Sequence, residues 1–280
     1  MIHSIAVAGA GTMGSGIALA AAQSGFNAIL FDLNPGALDN AKKGIEKNLS
    51  KAIEKKIYDA ATAAEISARI TYTGKAEGCK ADLVIEAIIE DLEIKASLLN
   101  QLAAINHPPT IIASNTSSLS ISDLQEKIPN PERVAGMHFF NPAHIMKLVE
   151  IVKGKCTSAE TINALEQVCR RMKKTPVVCI DSPGFIVNRV ARPFYLEAMK
   201  QVEDGWASPE DIDKALTAAG FKMGPFKLMD LIGLDINFAV SESVYAALGK
   251  PERFQPSNLQ KSKVEAGELG RKTGKGFYQY

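Results

Sequence analysis

Ser4-Ile5-Ala6-Val7-Ala8-Gly9-Ala10-Gly11-Thr12-Met13-Gly14 is a short apolar run that breaks on three glycines in the spacing G-x-G-x-x-G. Ser4 and the four apolar residues after it fit a strand buried on both faces, and the alanine-rich stretch Met13–Ser24 fits a helix packed close behind it. Between such a strand and helix, Gly9 permits the tight turn, Gly11 lets backbone approach a pyrophosphate, and Gly14 lets the helix sit against the strand. Ala10, Thr12 and Met13 complete a loop whose unpaired N–H groups, with the positive end of the helix dipole, would face the phosphates. A second apolar run ends in Phe31-Asp32. That is about 20 residues on, where a carboxylate accepts ribose hydroxyls, and its charge repels a 2′-phosphate. The sequence therefore predicts an NAD site rather than an NADP site.

Outward from this turn, apolar runs alternate with longer amphipathic segments. Ser4–Ala8, Ala28–Asp32, Arg69–Thr73, Leu83–Glu86, Thr110–Ser114 and Val134–Phe139 read as strands, and Leu148–Val152 and Thr175–Ile180 as an extension at one sheet edge. Asn34-Pro35 opens a long helix to about residue 56, Asp91 to Asn106 forms another, and Ser158–Met172 a third. After Asp181-Ser182-Pro183-Gly184 the pattern turns helical, over Asn188–Glu203, Pro209–Ala218, Phe226–Leu231 and Leu234–Leu248. The expected fold is α/β: a doubly wound, mostly parallel Rossmann sheet (1–182, binding NAD) followed by a smaller all-helical domain (183–280). Apolar residues at Ile212, Ala215, Leu216 and Ala219, and at Ile236, Phe238, Ala239, Val240 and Val244, exceed what a small solvated bundle requires. They predict a homodimer through the C-terminal helices.

The formal net charge of +1, with 22% charged and 46% hydrophobic residues, carries no electrostatic signature of a nucleic-acid partner. No stretch approaches the roughly 20 apolar residues that span a bilayer. Met1-Ile2-His3-Ser4 runs into the first strand without a leader pattern, so no membrane partner and a cytoplasmic location are expected. Cys79, Cys156, Cys169 and Cys179 lack CxxC or metal spacing; three fall in stretches that read as helix or strand, and all are expected to be reduced packing residues. No metal site is predicted.

Ligands of an open doubly wound sheet bind beyond the carboxyl ends of its strands. Those ends deliver Glu90, then Ser114-Asn115-Thr116-Ser117-Ser118, then His138-Phe139-Phe140-Asn141. Ser117 is a candidate at the mouth of the nicotinamide crevice, though a turn or helix-capping role fits a serine there equally well. A histidine on an apolar strand is usually a core residue. Glu150, inside Leu148-Val149-Glu150-Ile151-Val152, reverses that reading for His138, because a carboxylate among aliphatics needs a positive or hydrogen-bonding partner. Such a glutamate fixes the imidazole tautomer and makes the other nitrogen a proton acceptor from an alcohol. His3, His107 and His144 read as surface or loop residues. Asn188 opens the first C-terminal helix at the domain hinge, as a cap or as part of a cleft. Lys43, Lys47, Lys51 and Lys55, flanked by Lys42 and Lys56 and diluted by Glu46 and Glu54, form a cationic stripe. It reads as a solvated face or a landing surface for a phosphorylated ligand tail. The tail around Lys272 either reaches back to a phosphate or is a solvated end.

Taken together, the glycine loop, Val84–Glu90, Ser114–Ser118, His138–Pro142, Asp181–Arg189 and Lys272–Tyr278 closely resemble the L-3-hydroxyacyl-CoA dehydrogenases, above all the short bacterial 3-hydroxybutyryl-CoA enzymes. The resemblance covers the whole chain. It implies an NAD-dependent oxidoreductase that interconverts an (S)-3-hydroxyacyl-CoA and a 3-oxoacyl-CoA in fatty-acid or butyrate metabolism. It makes His138 the catalytic histidine and Glu150 its partner, Ser117 the residue that hydrogen-bonds the substrate oxygen beside the nicotinamide, and Asn188 an orienting residue. Asp32, Glu90, Lys95, Asn141 and Lys272 match cofactor-contacting positions. In the long helix Lys55 matches a CoA-binding lysine, with Lys51 beside it, while Asn48 stands where the family has a serine. Two rival readings keep the fold: an NAD-dependent dehydrogenase of a free hydroxy acid, and a non-catalytic NAD-binding protein.

Overall fold

The computed structural model describes residues 2–106 and 108–280; His107, one of the expected surface histidines, lies outside the described residues. The chain forms two compact units, one ending at Asp181 and one spanning Ser182–Tyr280. The first contains β1 (Ser4–Ala8), α1 (Thr12–Gln23), β2 (Asn27–Phe31), α2 (Pro35–Glu54), α3 (Ala60–Ala68), β3 (Ile70–Thr73), β4 (Leu83–Glu86), α4 (Leu92–Ile105), β5 (Ile111–Ser114), α5 (Ile121–Gln125), β6 (Val134–Phe139), β7 (Leu148–Lys153), α6 (Ala159–Arg171) and β8 (Thr175–Ile180).

These eight strands form one sheet in the order β3-β2-β1-β4-β5-β6-β7-β8. Every neighbouring pair is parallel except β6–β7. Strand order reverses between β1 and β4, so their carboxyl ends flank the crevice of a doubly wound sheet. β1, β4, β5 and β6 are almost wholly buried, as strands covered on both faces must be. Ile5, Val7, Ile17, Leu30, Leu83 and Ile85 are at 0% exposure in the shared core, each such side chain contributing about 1.5–3 kcal/mol of transfer free energy.

The second unit is helical, with α7 (Val187–Glu203), α8 (Pro209–Ala218), α9 (Pro225–Ile232), α10 (Leu234–Ala247) and α11 (Asn258–Glu265) around Tyr195, Met199, Phe226, Met229, Leu234 and Val244. Of the residues expected to exceed the core's needs, Ile212 and Val244 are core, while Ile236 is 52% exposed. The tail does not trail into solvent. Asp230 accepts the Phe277 and Tyr278 N–H groups, both at 2.9 Å, and folds it back on α9.

Three helices, α3, α5 and α11, escaped the apolar periodicity because each is short. Their sequence signal is the cap: Asp59, Ser120 and Ser257 accept the N–H of Thr62, Asp123 and Gln260. The cysteine expectation needs correction. Only Cys169 and Cys179 lie inside a helix or strand, and Cys156 is exposed in a turn. Burial pushes the thiols of Cys79, Cys169 and Cys179 up to about 11, 12 and 12, which suppresses the reactive thiolate. Among the described residues no helix is long and apolar enough to cross a membrane, and no group of three or more His, Cys, Asp or Glu could hold a metal.

Candidate active site

The three glycines are required for different reasons. Gly9 has φ +107°, and a Cβ there would stand 2.5 Å from the Ala87 carbonyl oxygen at the end of β4. A Cβ on Gly14 would fall on the Gly9 carbonyl. Gly11 is different: nothing of the protein lies within 4 Å of a Cβ built on it, so internal packing does not demand a glycine there and the backbone is open to close approach. Gly11 is also the N-cap of α1 and provides no side-chain acceptor, and the first turn holds no acid, so the leading N–H groups remain available to an anion. Asp32 braces the turn from the side. Its Oδ2 accepts the Ala10 N–H at 2.8 Å and its Oδ1 the Asn34 N–H at 2.9 Å, which leaves acceptor capacity for hydroxyl groups. Beside it opens a cavity of about 470 Å³ whose apolar lining is Phe31, Leu33, Ile88, Ile94 and Leu98, with Gly9, Asp32, Glu93, Ser97 and Gln101 also on its wall. Pyrophosphate at α1, hydroxyls at Asp32 and a purine among the aliphatics fit this arrangement.

At the ends of β4 and β5 the hub is Glu90. Its Oε1 accepts the Thr116 hydroxyl at 2.6 Å, the N–H groups of Ser117 and Ser118 at 3.0 and 3.1 Å, and the Ser118 hydroxyl at 2.9 Å. Burial pushes the Glu90 carboxyl up, but the Lys95 charge and the hydrogen bonds from Thr116, Ser118 and Ser117 outweigh it and hold the group below the usual glutamate value. Ser117 is thereby fixed by its backbone. The helix-capping role open to it belongs to Ser120, which accepts the Asp123 N–H. Lys95, expected to contact the cofactor, lies beneath this hub. It is 1% exposed, with its ammonium 2.6 Å from Glu86 Oε1 and 3.2 Å from Glu90 Oε2, so it reaches the loop only through Glu90.

His138, the penultimate residue of β6, faces Glu150 of β7 directly, because these two strands pair antiparallel in that register. Nδ1 lies 2.8 Å from Glu150 Oε2, and the two residues are 6% and 1% exposed. An ionised carboxylate only accepts, so this contact makes Nδ1 the protonated nitrogen. The Phe140 ring packs on the imidazole at a centroid distance of 4.5 Å. Asn115, beyond β5, accepts the Phe139 N–H at 2.8 Å and ties the end of β6 to the loop that bears Ser117. Glu86 and Asn115 do not stand among the residues singled out from the sequence. Glu86 nonetheless carries the signal that marks Glu150, a carboxylate among the aliphatics of a strand.

The remaining candidates are placed each within its own unit. Asn141 is exposed two residues past β6. Asn188 is the second residue of α7, whose N-cap is Ile186, so the capping reading does not hold. Lys272 is paired with Asp235, Nζ to Oδ2 2.7 Å, within the second unit. On α2, Ala41, Ile45 and Leu49 are buried while Lys43, Lys47 and Lys51 are exposed; Asn48 is half-buried and Lys55 is the exposed C-cap. His144 is a half-buried loop residue whose imidazole is pushed down by burial and by the charge of Lys174.

The profile described as 3-hydroxyacyl-CoA dehydrogenase, NAD binding domain, matches residues 4–182, and that of the C-terminal domain of the same enzymes matches residues 184–280. The chain belongs to the 3-hydroxyacyl-CoA dehydrogenase family. Its first unit is that family's NAD-binding domain, and its class is the NAD-dependent oxidoreductases. Among its relatives, 3-hydroxyadipyl-CoA dehydrogenase of Escherichia coli is 47% identical over the whole chain, which spans 59% of that longer protein. The 3-hydroxybutyryl-CoA dehydrogenase of Clostridioides difficile is 41% identical over 99% of both chains. The crystal structure of (S)-3-hydroxybutyryl-CoA dehydrogenase from Ralstonia eutropha is 39% identical and matches with a TM-score of 0.95, over 100% of this chain and 99% of that one.

Proposed function

We propose that this 3-hydroxyacyl-CoA dehydrogenase interconverts (S)-3-hydroxybutyryl-CoA and acetoacetyl-CoA, with His138 as general acid and base. The observation that carries the reading is the His138–Glu150 pair, 2.8 Å apart at the end of a strand in the sheet that bears the glycine turn. NAD, when bound, supplies the hydride acceptor for C3. Glu150 holds Nδ1–H, orients the ring and stabilises the imidazolium; Nε2 takes the hydroxyl proton in oxidation and returns it in reduction. Ser117, its backbone tethered to Glu90, hydrogen-bonds the C3 oxygen, and Asn188 orients the thioester. Holding those groups in reacting geometry is the larger part of the work. Asp32, Asn141 and Lys272 contact the cofactor, and Lys51, Lys55 and Asn48 meet the CoA phosphates.

The enzyme works as a homodimer through its second unit, where Trp206, Ile236 and Leu231 expose 74, 52 and 48% of their surface. Sedimentation at micromolar concentration tests this, and a monomer would refute it. A cytoplasmic location completes the reading and is checked by cell fractionation. The activity is tested by following NADH and NADPH in parallel with acetoacetyl-CoA, 3-oxoadipyl-CoA, longer 3-oxoacyl-CoA esters and free acetoacetate. We expect turnover with acetoacetyl-CoA and NADH. Equal turnover of free acetoacetate would remove the CoA ester from the proposal, and no NADH consumption with any substrate would remove catalysis.

A further inference from the structure

Glu86 ends β4 with no exposed surface, and three donors converge on it. The Ile88 N–H at 2.7 Å and the Lys95 ammonium at 2.6 Å reach Oε1, and the Ser114 hydroxyl at 2.6 Å reaches Oε2. From Lys95 the contacts continue to Glu90 and then to Thr116, Ser117 and Ser118. A continuous line of charge-assisted hydrogen bonds, joined by the Lys95–Glu90 ion pair, therefore starts at the last residue of β5, passes through the interior beside β4, and returns to the loop that leaves β5.

Stability does not explain this arrangement. Desolvating an ion pair offsets most of its attraction, and apolar residues of the same volume often serve as well. Geometry does explain it. A lysine reaching a partly exposed glutamate alone would sample many rotamers and hold little, as surface pairs do. Clamped by Glu86 on one side, the Lys95 ammonium has a single place to be, and it lies under Glu90. Lys95 is on the first turn of α4 and Glu86 is on the sheet, so the pair also fixes that turn to the strand from which the loop is measured.

We infer that Glu86 is a positioning residue for the cofactor site: by locking Lys95 beneath Glu90 it sets the Thr116-Ser117-Ser118 loop at which nicotinamide and substrate oxygen meet. The inference rests on the roles proposed above for Glu90 and Ser117. No contact of Glu86 with substrate or cofactor is involved.

The test is the double variant Glu86→Gln/Lys95→Met, which removes the two buried charges together and leaves Glu90 held by its Thr116, Ser117 and Ser118 donors alone. NADH binding is read first, by nicotinamide fluorescence without acyl-CoA, and then the kinetics with acetoacetyl-CoA. We expect a parent-like circular dichroism spectrum, a Kd for NADH raised several-fold, kcat lowered about 10²-fold by the displaced loop, and an unchanged KM for acetoacetyl-CoA. A folded double variant with parent NADH affinity and kcat overturns the inference, since a purely structural pair behaves that way. If the double variant does not fold, Glu86→Asp, which keeps the charge but withdraws it by one methylene, is read on the same quantities. Weakened NADH binding there supports the inference, and parent values overturn it. A parent enzyme that binds NADH yet reduces no 3-oxoacyl-CoA would refute the proposed function while leaving the NADH-binding comparison intact.

Discussion

The two units bury carboxylates equally deeply and use them differently. In the first, Glu86 and Glu150 are 0 and 1% exposed, and their principal partners are side chains with chemistry of their own, Lys95 and His138. In the second, Asp213 and Asp230 are 2 and 1% exposed, and each takes two backbone N–H groups and a tyrosine hydroxyl. Asp213 thereby closes the first turn of α9, and Asp230 pins the tail. The desolvation cost of the four acids is similar, so burial alone does not distinguish a site from a scaffold. The donors differ among these four: two backbone N–H groups and a tyrosine at each of Asp213 and Asp230, an ammonium at Glu86 and an imidazole at Glu150.

That contrast is open to attack, first at His138. His138→Gln should lower kcat by about 10⁴-fold, the upper range for a positioned acid–base group, in a protein that still folds and binds NADH. A loss of folding instead would move His138 to the architectural side. Glu150→Gln should cost less, on the order of 10²-fold in kcat, with an altered pH–rate profile and little change in unfolding midpoint. Wild-type turnover in that variant would take Glu150 out of the mechanism.

Asp230→Ala should do the opposite. It leaves the Phe277 and Tyr278 N–H groups without their acceptor, at about 1–3 kcal/mol for each group that stays buried, read by urea unfolding. Glu90 tests the comparison through pH. Its carboxyl is held low in the folded protein, so it stabilises the fold above the unfolded glutamate value and loses that contribution as pH falls through the folded value. Acid titration of the unfolding free energy should therefore fall more steeply in the parent than in Glu90→Gln. The smallest effect is expected at Lys55→Ala. An exposed charge contributes about 0.2–1 kcal/mol, so the KM for the CoA ester should rise only a few-fold, and less at high salt.

Much of this was legible in the sequence because it is local. The β–α alternation and the glycine loop declare themselves within a dozen residues, and Gly9 and Gly14 are fixed by contacts with their own turn and strand. His138 and Glu150 were each legible as an oddity inside an apolar strand. Lys95 and Lys272 were not, since a lysine reaches several ångströms in any direction and only packing decides which carboxylate it meets. Glu86 closes a strand as Glu150 lies within one, yet its partner stands on a helix nine positions away, a relation that no strand period reveals.

By itself the chain determined the sheet-and-helix order and the glycine turn with Asp32 beside it, because each depends on backbone conformation and nearest neighbours. Only the tertiary structure decided that β7 turns antiparallel to β6 and brings Glu150 opposite His138. It also decided that the Lys95 ammonium lies between Glu86 and Glu90, because side-chain partners are chosen by strand register and burial rather than by distance along the chain.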